Sequence, residues 1–366
     1  MSGVRGLTRF VGLTVAVLTL AGCVASSAGH PSTNEGSAPV LSAVEPLQDA
    51  SSWQGEVHAD LPSVTIDPIS DDPQQELPAT VTDAQGTTVT VTDTSRILAL
   101  DLYGTLSQTV FELGLGDSVV GRDISTQFPE AQDLPMVTSD GSHELIAERI
   151  LQVDPTVIVT DTSLGPWDVI LQMRDAGIPV VVVDSTRSLD NLASLTTEVA
   201  EALGVTAEGK ELGKRIEGEV GEISAQIEQV APVALEDRLR MVFLYVRGQA
   251  GVYYLLGEGS GADGLIEALG GYDVAGEIDW QGMRPLTDEA IVAAQPDLVL
   301  MMSKGLDSVG GVDGLLGRIP ALANTPAGQN RRIVDMADTG ILSYGPRTAE
   351  VLNSLAVAVY APQSVP

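Results

Sequence analysis

The 366-residue chain predicts an α/β fold of two Rossmann-like lobes, each built on a mainly parallel sheet, joined by a single long helix. Three observations point there. Short apolar runs alternate with helical stretches through residues 94–366, one helix–proline–strand pattern occurs twice, and a long helix-forming segment separates its two copies.

The apolar runs fall at residues 96–100, 118–121, 156–160 and 180–183 in the first half, and at 240–246, 252–256, 298–302 and 332–335 in the second. Their near-continuous apolar character suits strands covered on both faces by helices. The repeated pattern sets Glu148 seven residues before Pro155, which leads into the run from Thr156; it sets Glu289 seven residues before Pro296, which leads into the run from Leu298. In each copy the proline ends a short helix, because it lacks an N–H and its ring clashes with the preceding turn. A second pair agrees: Glu112-Leu113-Gly114-Leu115 leads to Val119-Val120, and Glu267-Ala268-Leu269-Gly270 leads to Asp273-Val274. Copies this far apart indicate two like lobes and not a solenoid, whose periods are about 20–50 residues. Between them, residues 189–230 read as helix interrupted at Gly204; the piece from about 207 to 230 spans roughly 35 Å at 1.5 Å per residue. That length bridges two lobes and makes a stiff hinge. The expected boundaries are 94–186 for the N-terminal lobe, 187–238 for the linking helices and 239–366 for the C-terminal lobe.

Ahead of the lobes, Arg5 and Arg9 precede an apolar run at residues 10–20 and then Leu20-Ala21-Gly22-Cys23. The run is too short to span a bilayer, which takes about 20 apolar residues, and it has the flanks of an export signal. Its ending resembles a lipobox, in which the Cys23 thiol would take a diacylglycerol and become the first residue of the mature chain; two acyl chains anchor stably where one does not. Residues 1–22 are thus read as a lipoprotein signal peptide. Cys23 is the only cysteine, so neither a disulfide framework nor a cysteine metal site is available. Residues 23–93 hold clusters of Ser, Pro, Asp, Gln and Thr without helical period and read as a low-complexity tether, in which residues 88–92 could pair as a small hairpin. The formal charge is −31, and loss of Arg5 and Arg9 with the signal takes it to −33. Such an excess excludes nucleic acid and anionic lipid surfaces as partners.

From Ile97 onward, the segment Leu113-Gly114-Leu115-Gly116-Asp117, the two Glu-to-Pro-to-strand copies and the spanning helix together resemble the periplasmic-binding-protein class that serves siderophore, cobalamin and haem importers. The likeness covers roughly residues 94–360, and within the class it is nearest to the HmuT-like haemin-binding lipoproteins of Gram-positive importers. It implies haem as the transported ligand and an ABC permease with its ATPase as partners. It also implies a monomer anchored at the outer face of the cell membrane, with no enzymatic activity.

The same resemblance nominates site residues. His143, in the polar turn Thr138-Ser139-Asp140-Gly141-Ser142-His143-Glu144-Leu145, is the only histidine outside residues 23–93 and falls where the relatives place an axial histidine. A surface or capping role is the alternative for a lone histidine. In Phe243-Leu244-Tyr245-Val246-Arg247-Gly248, strand alternation puts Tyr245 and Arg247 on one face. A free phenol, with a pKa near 10, is mostly protonated at neutral pH; a nearby guanidinium favours phenolate, a hard oxygen ligand for ferric iron. Gly248 would let a flat ligand approach the backbone. The alternative is a tyrosine packed at a lobe surface with Arg247 paired to an acid. Met301 and Met302 end a strand aimed at the cleft; only one can face inward, and Met302 is the favoured one. Tyr344 and Arg347, in the turn Tyr344-Gly345-Pro346-Arg347, and Arg284 could meet propionates. The resemblance further assigns Glu148 and Glu289, 141 positions apart, to docking on arginines of the permease.

A ferric siderophore or cobalamin in the same fold is the alternative ligand. With only 19 Lys and Arg in the chain, a cleft basic enough for an anionic siderophore is hard to assemble. An α/β enzyme is a remote alternative, since no Gly-x-Ser-x-Gly, Gly-x-x-x-x-Gly-Lys-Ser/Thr or His-Glu-x-x-His occurs.

Overall fold

The computed structural model describes residues 38–63 and 65–365; the export signal, Cys23 and His30 fall outside them. Residues 38–93, expected as a tether, are part of the fold from residue 38 onward. Strand β1 (Val57–Ala59) joins the edge of the second lobe's sheet, and β2 (Ala79–Thr82) and β3 (Thr88–Val91) form an antiparallel hairpin beside the first lobe. The first lobe's sheet follows as β4 (Ile97–Leu100), β5 (Val157–Thr160) and β6 (Val180–Val182), parallel and in that order, with every residue buried. Helices α1 (Thr105–Val110), α2 (Ala147–Gln152) and α3 (Trp167–Asp175) lie between these strands in sequence. The expected strand at 118–121 is reduced to one bridge, Val119 to Ile97.

The chain then crosses through α4 (Leu192–Ala202) and α5 (Thr206–Val230). At 25 residues α5 reaches about 37 Å. Gly209 and Gly213 of α5 face Ala200 and Ala193 of α4, and a methyl at Gly209 would meet the Ala200 Cβ at 2.2 Å. Glycine is therefore what lets the two helices touch.

The second lobe comprises β7 (Arg240–Arg247), β8 (Val252–Leu256), β9 (Tyr272–Asp273), β10 (Met283–Pro285), β11 (Leu298–Met302) and β12 (Ile333–Met336). Their order is β1-β12-β11-β7-β8-β10, with β9 also on β7. Pairing is parallel from β1 to β7 and antiparallel for β8 on β7 and β10 on β8. The helices are α6 (Ala262–Ala268), α7 (Asp288–Ala294), α8 (Ser303–Val309), α9 (Gly311–Arg318), α10 (Pro326–Gln329) and α11 (Thr348–Tyr360). Alternation along β7 sends Met241 and Phe243 into one core, and Val242, Leu244 and Val246 into another. The sequence repeat has a backbone counterpart. After α2 and after α7, the residue before the proline is left-handed, Asp154 at φ 44° and Gln295 at φ 42°, and a buried parallel strand follows. No helix among the described residues is long and apolar enough to cross a membrane.

Residues 38–93 run across both lobes. The Leu47 N–H donates to Tyr360 O at 2.7 Å and Gly55 to Asn330 O at 2.9 Å on the second lobe. Ile69 donates to Glu112 O at 2.8 Å and Ala84 to Val182 O at 2.7 Å on the first. His58 bridges Asp335 (Nδ1 to Oδ2, 2.7 Å) and Asp60 (Nε2 to Oδ1, 3.1 Å). Burial works against its charged form, but these acids prevail and raise its pKa. Leu41, Ala50, Val57 and Ala59 are buried in the shared core. The physical reason the composition misleads is that this segment supplies only scattered apolar residues to grooves the lobes have already made. Its strand pairs through backbone groups, which leave no mark in side-chain periodicity.

Candidate functional site

The turn carrying His143 is built from its own polar residues. Thr138 and Leu145 form an antiparallel bridge, Ser139 N–H donates to Glu144 O at 2.8 Å, and Gly141 takes φ 75° at the tip. This projects His143 to solvent, with Nδ1 3.5 Å from Ser125 Oγ. Partial desolvation, then the positive charges of Lys304 and Arg247, hold its imidazole below the ordinary value. Such a ring is neutral at neutral pH and keeps a lone pair free for a metal.

From the other lobe, β7 ends with Tyr245 and Arg247 on one face, both half-buried. The Arg247 guanidinium lies 4.4 Å from the centre of the Tyr245 ring, and the Tyr254 ring packs against Tyr245 at 6.5 Å, edge to face. Arg247 Nη2 donates to Asp338 Oδ2 at 2.8 Å and lies 3.9 Å from Met302 Sδ. The two lobes enclose a groove of about 280 Å³. The first lobe contributes Leu102, Tyr103, Ile124, Ser125 and His143; the second contributes Tyr245, Arg247, Met302, Lys304 and Asp338. Imidazole and phenol thus face one space from opposite lobes, with aliphatic, aromatic and thioether surface between them.

Several nominated residues lie elsewhere. Met301 is fully buried in the core on the other face of β11, because adjacent strand residues alternate and Met302 takes the groove side. Tyr344 is buried in the core, where its hydroxyl donates to Gly261 O. Arg347 donates to Pro62 O and, at 2.8 Å, to Glu350, so it holds residues 38–93 in place and not a ligand. Arg284, on edge strand β10, is exposed and covers the Trp280 ring at 5.0 Å. Gly248 answers to packing: a Cβ there would meet Val309 Cγ1 at 2.5 Å and Ser308 O at 2.8 Å. Glu148 and Glu289 are both exposed, each in the first turn of its helix.

Sequence reasoning missed Tyr103, Ser125, Lys304 and Asp338. Tyr103, Lys304 and Asp338 have a common signal, for each follows the carboxyl end of a parallel strand (β4, β11 and β12), where α/β sheets place ligands.

Behind the first lobe's wall, Asp101, Asp123 and Asp161 are fully buried, and the buried Arg187 pairs with two of them. Arg187 Nη2 lies 2.6 Å from Asp161 and 3.5 Å from Asp101, and its guanidinium sits 5.5 Å from the centre of the Tyr103 ring. Asp123 Oδ2 accepts from the Asp101 N–H at 3.1 Å. Burial, then the charge of Asp123, pushes Asp101 up to about 7; burial pushes Asp123 up to about 6. Both exceed the unfolded value of about 3.9. The folded chain therefore holds extra proton between about pH 4 and 7, and the associated stability, complete below pH 4, is lost as pH rises through 7. Urea unfolding should give lower stability at pH 7.5 than at pH 5.5. Asp101→Asn, neutral at both, should remove at least about 1 kcal/mol of that difference, at about 1.4 kcal/mol per pH unit for each proton. An unchanged difference would show that no proton is held there.

A profile of the periplasmic binding protein family matches residues 102–339. The crystal structure of the heme binding protein HmuT superposes with a TM-score of 0.79 at 39% identity, covering 86% of this chain and 99% of that one. HmuT has also been solved with a histidine, a tyrosine and an arginine each replaced by alanine; that tyrosine and arginine are two positions apart, the spacing of Tyr245 and Arg247. The ABC transporter substrate-binding lipoprotein YvrC of Bacillus subtilis is 23% identical, over 77% of this chain and 86% of its own length. A cobalamin-binding protein of Halobacterium salinarum is 26% identical, over 77% and 74%. With its two lobes, its inter-lobe groove and these relatives, the chain belongs to the periplasmic binding protein family, whose members bind solutes for ABC transporters and are not enzymes.

Proposed function

We propose that this protein captures haem in the groove between its lobes and delivers it to an ABC permease for iron acquisition. The observation that carries the reading is the convergence of His143 and the Tyr245–Arg247 pair, from opposite lobes, on one groove, in a chain 39% identical to a heme binding protein. His143 and Tyr245 would ligate the iron from opposite walls. Arg247, fixed by Asp338, would brace the Tyr245 ring from its face, while Met302 would cover part of the macrocycle face. A groove of about 280 Å³ lies just under the ~300–1,000 Å³ of typical ligand pockets, so the macrocycle would project from it or part the lobes. In this reading Cys23 carries the lipid that holds a monomeric protein at the outer face of the membrane. Glu148 and Glu289, one on each lobe, meet the permease, which works with its ATPase.

Titrating haemin into the purified protein and recording absorption spectra tests the reading. Saturation at one equivalent with a Soret band distinct from free haemin is expected. A spectrum that remains that of free haemin would sink it. The cobalamin-binding relative motivates a parallel titration with cobalamin, and tighter binding of cobalamin than of haemin would move the assignment to that ligand.

A further inference from the structure

Asp338 neutralises one cation of the groove and leaves the other without a counter-charge. Its Oδ2 accepts from Arg247 Nη2 at 2.8 Å, and its Oδ1 accepts from the Lys304 backbone N–H at 3.1 Å, so both carboxylate oxygens are engaged. The Lys304 side chain is exposed, and among the described residues no carboxylate oxygen lies within 4.0 Å of its ammonium. Lys304 lines two concavities at once. One is the groove shared with His143 and Tyr245; the other is a shelf formed with Arg247, Gln249, Asp307 and Ser308. His143, Tyr245 and Lys304 line the same groove. The ammonium therefore stands at the lip, close to where both candidate iron ligands point. Asp307, exposed on the shelf, would repel an anion lying over it, which leaves the groove side of Lys304 as the favourable place for an acidic group.

We propose that Lys304 makes the groove selective for a tetrapyrrole with free carboxylate arms: its ammonium pairs with one such arm and gives nothing comparable to an amide or ester. The inference rests on the haem reading above and adds what that reading lacks, a physical basis for preferring a carboxylated macrocycle over an amidated one such as a corrin. Sequence alone did not mark this residue, because a lysine opening a helix is ordinarily a solvated surface group. What singles it out is the engagement of Asp338 by two other donors.

The test uses the purified full chain, haemin and haemin dimethyl ester, with affinities read from absorption titrations of the unaltered protein and of Lys304→Gln. The unaltered protein should prefer haemin to its ester by about fivefold, the upper scale of a solvent-exposed ion pair. Lys304→Gln should lose that preference by binding haemin about fivefold more weakly, with ester affinity and both bound spectra unchanged. Equal affinities of the two proteins for haemin, or equal losses for haemin and ester, would overturn the assignment of Lys304 while leaving haem capture intact. Failure of the unaltered protein to change the spectrum of either ligand would overturn haem capture itself, and this inference with it.

Discussion

Replacing Tyr245 with phenylalanine is expected to weaken haemin binding by more than about 100-fold and to shift the spectrum of whatever complex remains. Loss of a group that merely supports a metal ligand typically costs about 10–100-fold in affinity, and removing the ligand itself should cost more. Phenylalanine is the informative replacement because it deletes only the oxygen. The ring can still pack edge to face on Tyr254 and still lie under the Arg247 guanidinium, contacts that make up the local wall of the groove. Thermal unfolding of the variant should therefore match that of the unaltered protein, which separates loss of ligation from loss of fold. His143→Ala should cost less, since a neutral imidazole gives ferric iron less stabilisation than an anionic oxygen. If Tyr245→Phe binds haemin with unaltered affinity and an unaltered spectrum, the iron is not held through this oxygen.

Removing residues 24–93 is expected to destabilise the protein by about 5 kcal/mol or more, although the composition of that stretch suggests something dispensable. Leu41, Val57 and Val91 are 2%, 6% and 0% exposed, and full burial of such side chains stabilises by about 1.5–3 kcal/mol each. The deletion also strips β1 from β12 and the hairpin from beside β6, leaving a sheet edge and core surface uncovered. A loss of this size is comparable with the whole stability of an ordinary domain, about 5–15 kcal/mol. The shortened protein should unfold at much lower urea concentration or fail to unfold cooperatively. A matched deletion of residues 24–37 alone, which spares every buried residue named here, should behave like the intact chain. Equal urea midpoints for the longer deletion and the intact protein would restore the tether reading.

Legibility in the sequence followed the range of the interactions involved. The parallel strands could be read from local apolar runs, since β4, β5, β6 and β11 are buried along their whole length. The helix–proline–strand copies and the long α5 were readable for the same reason, because each is specified by residues adjacent in the chain. Alternation was enough to place Tyr245 and Arg247 on one face of β7 and to prefer Met302 over Met301. The nomination of Tyr344, Arg347 and Arg284 as propionate contacts had no such local basis: a polar tip was matched to an acidic ligand without knowing which protein group would claim it first. Gly261 O, Pro62 O with Glu350, and the Trp280 ring claim them.

By itself the sequence determined the two-lobed architecture and the connecting helix through patterns confined to short stretches of chain, while His143 and Tyr245 were nominated by the resemblance to haemin-binding relatives. Only the tertiary structure decided that residues 38–93 belong to both lobes, that Asp338 occupies Arg247 while Lys304 stays uncompensated, and that Asp101 and Asp161 share one arginine behind the groove wall. Those outcomes depend on backbone pairing and on competition among charges brought together from distant positions. Neither leaves a periodic trace in the chain, because hydrogen-bonding backbone is common to nearly every residue and a charge is paired or free only relative to neighbours that folding supplies.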